Sequence, residues 1–399
     1  MSAPLSVSVL VNRQLLPANI DVPIYVLMKV FPTREAADFL KQNPRKVSVI
    51  FTLDISSSMS GDKLEIAKQA IIRRFERDFE LDDNISVVTF GDKAEVLVKP
   101  TKKEKAGNFR QIIQPIDTGD GIRGTNLYEG LQKSVDLLSS APQGYLRRII
   151  LTTDGMPTAG VTDADAIVGL AKKAAESGVR VDVYGIGDDY DYGLCKAIAD
   201  ASGGWMRHAL AASDLEALSR TSVDGYKSTI IDKLMISMRP VANVELENAV
   251  QVYPQVKDLD RETSYDVGSL TTSPIFVAAR LKVHKGMEPG VHKILDIGFN
   301  ALNKEVSVNI VSDESWVPED CAPRMYYLYA NKVVEMQERV TKVEGTQDVE
   351  AALHELLSTQ CSQQLRTQDP YFQKITQVSG EAKTIVDQRT KLDKYSAMG

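Results

Sequence analysis

The chain has 399 residues, of which 43% are hydrophobic and 25% charged, with a net charge of −7 at neutral pH. That length exceeds one ordinary core and implies two or three domains. The acidic balance gives no reason to expect nucleic acid or an anionic membrane as partner, and no stretch approaches the ~20 apolar residues that span a bilayer.

In chain order, two β-like runs come first, Leu5 to Val11 and Val22 to Val30, separated by a turn-rich stretch with Pro17. Val47 to Leu53 is apolar almost throughout, the mark of a strand covered on both faces. Leu64, Ala67, Ile71, Phe75 and Phe79 then step by three or four, which predicts a helix. Ile85 to Phe90 reads as a strand. The Gly91-Asp92 pair before Ala94 to Val98 signals a hairpin, hence one antiparallel edge strand. A second helix follows from Leu127, Leu131, Val135 and Leu138, a strand from Arg148 to Thr153, a third helix from Ile167, Ala171 and Ala174, and a strand from Val179 to Ile186. This alternation predicts an α/β fold, a doubly wound, mostly parallel sheet, whose ligands bind beyond the carboxyl ends of its strands.

After Lys227 the pattern turns β-like again at Lys233 to Met238, Val244 to Val252, Ile275 to Val283, Ile294 to Phe299 and Val306 to Val311. No helix follows any of these, so antiparallel pairing is expected. The economical arrangement is a β-sandwich made by both flanks, with the α/β domain inserted between its early strands. From about Pro318 the pattern is helical, through Tyr326-Tyr327-Leu328-Tyr329 to Met336, and again over residues 347–358 and 371–392. The expected divisions are 1–42 and 227–316 for the sandwich, 43–226 for the α/β domain and 317–399 for a C-terminal helical region.

The chemistry concentrates where predicted strands run out. Asp54-Ile55-Ser56-Ser57-Ser58 sets one carboxylate and two hydroxyls on alternate residues at the end of a strand, and Asp154 ends another. Thr125 stands just before the second helix. Carboxylate and hydroxyl oxygens, with no thiolate or imidazole among them, suit a hard divalent cation such as Mg²⁺, with Mn²⁺ as an alternative. Met59, next to the last serine, is expected to pack under the loop. Tyr326, Tyr327 and Tyr329 are expected to pack against the sandwich, and the acidic residues Asp188, Asp189 and Asp191 to form a solvated loop.

Asp54-x-Ser56-x-Ser58, Gly124-Thr125-Asn126-Leu127 and Thr153-Asp154-Gly155, in this order, resemble the von Willebrand factor type A family over roughly residues 45–225. Thr89-Phe90-Gly91-Asp92 and Ser202-Gly203-Gly204 look familial too, and the arrangement of the flanking β segments is similar to that of intracellular and surface bacterial members and distantly similar to the inter-α-trypsin inhibitor heavy chains. The resemblance implies a metal-ion-dependent adhesion site. Ser56, Ser58 and Thr125 would give hydroxyls to Mg²⁺, and Asp54 and Asp154 would bind directly or through water. An Asp or Glu from a protein partner would complete the shell, so the ion would bridge proteins and not catalyse. Family behaviour also implies that occupancy couples to the last helix of the domain, here about Ser213 to Val223.

Two other readings stand beside this one. A scaffold would act through its sandwich and helical tail, with a structural or vestigial metal. A phosphotransferase of the haloacid dehalogenase type would use Asp54 as nucleophile, but that chemistry wants a second Asp where Ser56 stands. Cys195, Cys321 and Cys361 are widely spaced and odd in number, so neither a disulfide framework nor a zinc motif is expected. With no basic-then-apolar leader over Met1 to Val9, a cytoplasmic address is the default expectation.

Overall fold

The computed structural model describes residues 4–376, apart from 120–121, 140, 143, 188–189, 210–221, 260–262, 301, 313–318 and 343. Most of the helix anticipated at Ser213 to Val223, Asp188 and Asp189 of the acidic loop, and residues 377–392 of the last expected helix lie outside the described residues. The chain divides into two compact units, Phe39–Thr229 and the remainder on either side of it.

In chain order the outer unit begins with β1 (Leu5–Val11), β2 (Leu15–Pro17) and β3 (Val22–Pro32), and helix α1 (Arg34–Gln42) follows. The inserted unit has β4 (Val47–Asp54), α2 (Asp62–Arg77), β5 (Asn84–Phe90), β6 (Ala94–Lys102) and a short α3 (Phe109–Ile113). It continues with α4 (Leu127–Ser139), β7 (Leu146–Thr153), α5 (Ala164–Glu176), β8 (Val179–Ile186), α6 (Tyr192–Ser202) and β9 (Met206–Ala209). Its sheet has the order β6-β5-β4-β7-β8-β9, parallel throughout except for the antiparallel β5–β6 edge. Every residue of β4, β5 and β8 is buried, because helices cover both faces. On one face Phe51 and Leu53 pack with Leu64 and Ile71 of α2, Phe109 of α3 and Val223 and Tyr226 of the helical turn at 222–227. On the other, Ile50 and Leu151 pack with Leu131 of α4, Ile167 of α5 and Ile198 of α6.

The outer unit resumes with β10 (Met235–Pro240), β11 (Val244–Tyr253), β12 (Lys257–Asp258), β13 (Ser264–Asp266), β14 (Ile275–Val283), β15 (Gly290–Phe299) and β16 (Leu302–Val311). Two five-stranded sheets, β1-β3-β14-β11-β12 and β13-β10-β15-β16-β2, enclose one core that includes Ile24, Val26, Val277, Leu281, Ile236 and Phe299. Pairing is antiparallel as expected, save for β2, which joins β16 in parallel. Helices Cys321–Thr341, Gln347–Ser358 and Gln360–Gln368 and a turn of helix at 370–376 complete this unit. Tyr326, Tyr327 and Tyr329 are buried, as their packing role requires. Lys29 of β3 reaches Asp369 at 2.8 Å, and its ammonium lies 5.0 and 5.1 Å from the rings of Phe276 and Tyr326.

The cysteine reading needs correction. Cys321 and Cys361 form a disulfide, with Cα atoms 6.4 Å apart, while Cys195 is a free, buried thiol. The 40-residue separation looked like isolation in sequence. The chain folds back between Cys321–Thr341 and Gln360–Gln368, and brings the first residue of one helix against the second residue of the other.

Candidate metal centre

The site follows from strand adjacency. Because β4 and β7 are parallel neighbours with Leu53 opposite Thr152, the residues just beyond, Asp54 and Asp154, emerge on the same rim. Ile55 N–H bonds to the Phe90 carbonyl at 2.8 Å, and the chain then tightens into a 3-10 turn at Ser57–Met59. Met59 is fully buried and anchors that turn from below. Asn126 caps α4, its Oδ1 accepting from Glu129 N–H at 3.2 Å, which holds Thr125 at the helix mouth. Thr125 is fixed further by its own N–H to Thr158 Oγ1 at 2.9 Å.

Four of the five expected ligands, Asp54, Ser56, Thr125 and Asp154, are at most 4% exposed. Ser58 is exposed and marks the open side. Asp54 Oδ1 accepts from Ser56 N–H at 2.9 Å, and its Oδ2 accepts from the Thr153 hydroxyl at 2.6 Å. Ser58 donates its hydroxyl to Asp154 Oδ1 at 2.8 Å, so in the 3.0 Å contact between the two serines Ser56 is the donor. Each hydroxyl proton therefore points along a chain that ends on a carboxylate, which leaves serine lone pairs free for a cation. A Cβ placed on Gly155 would lie 3.5 Å from Thr125 Oγ1 and 3.6 Å from Ser58 Oγ. These two hydroxyls thus flank one small cradle, kept clear by a glycine.

Burial pushes the Asp54 carboxyl above the usual carboxylate range, against the opposing hydrogen bonds from Ser56 and Thr153. Asp54, buried and held only by an amide and a hydroxyl, is a poor resting place for charge and a good one for a hard cation. Among the described residues no group of three or more His, Cys, Asp and Glu side chains gathers, so the oxygen-rich rim has no nitrogen or sulfur rival there. The donor set fits Mg²⁺.

Two supporting residues escaped the sequence reading. Thr153 clamps Asp54, although its position beside Asp154 was the available signal. Lys63, in the first turn of α2, places Nζ 2.5 Å from Asp154 Oδ2. Of the acidic loop, Asp191 caps α6 by accepting from Leu194 N–H at 2.9 Å, a structural role. His208 Nδ1 lies 2.6 Å from the Tyr190 hydroxyl.

A doubly wound sheet with an oxygen-lined rim at its carboxyl edge defines a class of α/β binding domain. Residues 48–223 match the von Willebrand factor type A domain, and the chain carries such a domain. These domains generally mediate protein–protein interactions, often through a metal. Human inter-alpha-trypsin inhibitor heavy chain H4 is 28% identical over 176 residues, which take in 42% of this chain and 18% of that protein. The chain thus spans less than a fifth of that relative's length. Two solved structures share the fold across both units. A von Willebrand factor type A protein from Catenulispora acidiphila covers 93% of this chain and 88% of its own, with TM-score 0.68 and 15% identity. The ArnB paralog VWA2 from Sulfolobus acidocaldarius covers 98% of both, with TM-score 0.62 and 17% identity.

Proposed function

We propose that Asp54, Ser56, Ser58, Thr125 and Asp154 hold Mg²⁺, and that the ion captures an Asp or Glu of a protein partner. The observation that carries this reading is the linked rim, in which buried Asp154 orients the Ser58 and Ser56 hydroxyls in series and buried Asp54 holds the Ser56 amide, around an open side. When bound, the metal supplies a coordination position for an incoming carboxylate. The chain's own residues fix the geometry: Thr153 and the Ser56 amide hold Asp54, and Gly155 keeps the approach clear.

The phosphotransferase alternative loses ground on this geometry. Both Asp54 oxygens are engaged and the residue is fully buried, which is unsuited to in-line attack on a phosphate. A non-enzymatic interaction module is the better reading.

No helix among the described residues is long and apolar enough to cross a membrane. The cytoplasmic expectation rested on the missing leader; the Cys321–Cys361 disulfide weighs against it, since an oxidising compartment suits such a bond better.

The test is a calorimetric titration of the metal-stripped chain with Mg²⁺ and Mn²⁺, beside Asp54→Ala. One-site binding that disappears in the variant supports the proposal. Equal binding by both proteins would place the metal elsewhere.

A further inference from the structure

The first turn of a helix is a poor place for a cation, because the macrodipole is positive there. Lys63 nevertheless occupies the second position of α2, beside Asp62 and ahead of Glu65. Its ammonium turns to the metal rim, where Nζ sits 2.5 Å from Oδ2 of the fully buried Asp154. From the other side the backbone of Gly187, in a left-handed conformation at φ +73°, leaves room for it. A Cβ at that position would stand 3.2 Å from Lys63 Cε and 3.4 Å from Nζ. The side chain is only 30% exposed. This is a held cation and not a surface lysine passing by.

The charge balance gives it a role. Two carboxylates neutralise a divalent ion, so a rim of Asp54, Asp154 and Mg²⁺ alone would carry no net charge and offer little pull on an anion. Adding the Lys63 ammonium leaves one positive charge in excess, which a single carboxylate completes. The ammonium also holds the Asp154 oxygen opposite the one that receives Ser58, so neither oxygen of Asp154 is bare before the metal arrives.

We infer that Lys63 is a built-in counter-cation that weakens Mg²⁺ binding in the absence of a partner and makes tight binding depend on an incoming carboxylate. The inference rests on the metal-site reading and gives it a specificity determinant: an anionic ligand, in preference to a neutral one. Without Lys63 the ion would bind well by itself and select poorly.

The experiment compares the full chain with Lys63→Gln and Lys63→Arg. Mg²⁺ alone is titrated calorimetrically, then Mg²⁺ with acetate present as the simplest carboxylate. A unit charge beside a divalent ion in a partly buried site predicts that Lys63→Gln binds Mg²⁺ about tenfold tighter or more. Lys63→Arg should stay near the wild type, and acetate should strengthen Mg²⁺ binding in the wild type more than in Lys63→Gln. Melting curves give a second readout. Under EDTA, Lys63→Gln should melt lower, having lost the partner of Asp154, and its gain on adding Mg²⁺ should exceed that of the wild type. Mg²⁺ affinity equal or weaker in Lys63→Gln overturns the inference while leaving the metal site standing. Binding in Lys63→Gln but not in the wild type supports it most strongly. Absence of Mg²⁺ binding in all three proteins overturns both this inference and the metal-site reading.

Discussion

Asp54 has to be ionised to serve a metal, yet its burial favours the proton. On the proposed reading Mg²⁺ and a proton compete for Asp54, so affinity should fall as pH is lowered from neutral. The fall should begin above the range where an exposed carboxylate would titrate, and affinity should level off on the alkaline side once Asp54 is ionised without metal. Titrations across mildly acidic to neutral buffers of differing ionisation enthalpy check this through the number of protons released. A flat profile across that range would refute the linkage. At the same scale, Gly155→Ala should fold normally, because its Cβ would meet both neighbouring hydroxyls at ordinary contact distance. It should still weaken Mg²⁺ binding by about tenfold, since the methyl fills the cradle between Thr125 and Ser58 that the ion needs. Unchanged affinity would show that the ion sits away from that cradle. The residues proposed as ligands could be singled out in sequence because three of them share one pentapeptide. Lys63 was not, since its partner Asp154 is 91 residues away and only the β4–β7 pairing brings the two loops together.

Among the elements, the helical turn at 222–227 is held by polar contacts inside a hydrophobic layer. Tyr226 donates its hydroxyl to the buried Asp182 of β8, and Tyr184 bonds Ser222 Oγ at 2.6 Å. Burial raises the Asp182 carboxyl above its ordinary range, while Tyr226, Arg148 and the Trp205 amide favour its charged form. Tyr226→Phe would remove one of these donors and leave a less satisfied buried acid. The expected loss is about 1–3 kcal/mol, read from urea unfolding, with faster amide exchange over 222–227. Exchange unchanged there would mean that apolar contacts alone hold the turn. Gly204 is a second tight point, where a Cβ would run into the Val181 carbonyl oxygen. Backbone cannot yield as a side chain does, so Gly204→Ala should lower the melting temperature by several degrees. The long buried strands were readable because both faces demand apolar side chains. The short β2, β9 and β12 were not, since two to four residues carry no usable period and their place is set by the neighbouring strand.

For the whole molecule, the inserted organisation was readable from the change of pattern at each flank, but not the pairing that closes the sandwich. β3 lies against β14, with Val22 opposite Val283, and nothing local in either strand specifies a partner so distant in sequence. The disulfide was hidden for the same reason, and its consequence can be measured. Cys321–Cys361 closes a loop that contains the helices Cys321–Thr341 and Gln347–Ser358. In the chain-entropy account a loop of that size restrains the unfolded state by roughly 3–4 kcal/mol. Replacing both cysteines by serine should therefore lower thermal stability, and a reductant should do the same to the wild type but nothing further to the variant. The bond belongs to the outer unit and the proposed metal rim to the inserted one, each unit with its own core. The double variant should accordingly bind Mg²⁺ as the wild type does. A joint loss of stability and metal affinity would instead show that the two units respond as one, and that the helical region bears on the rim.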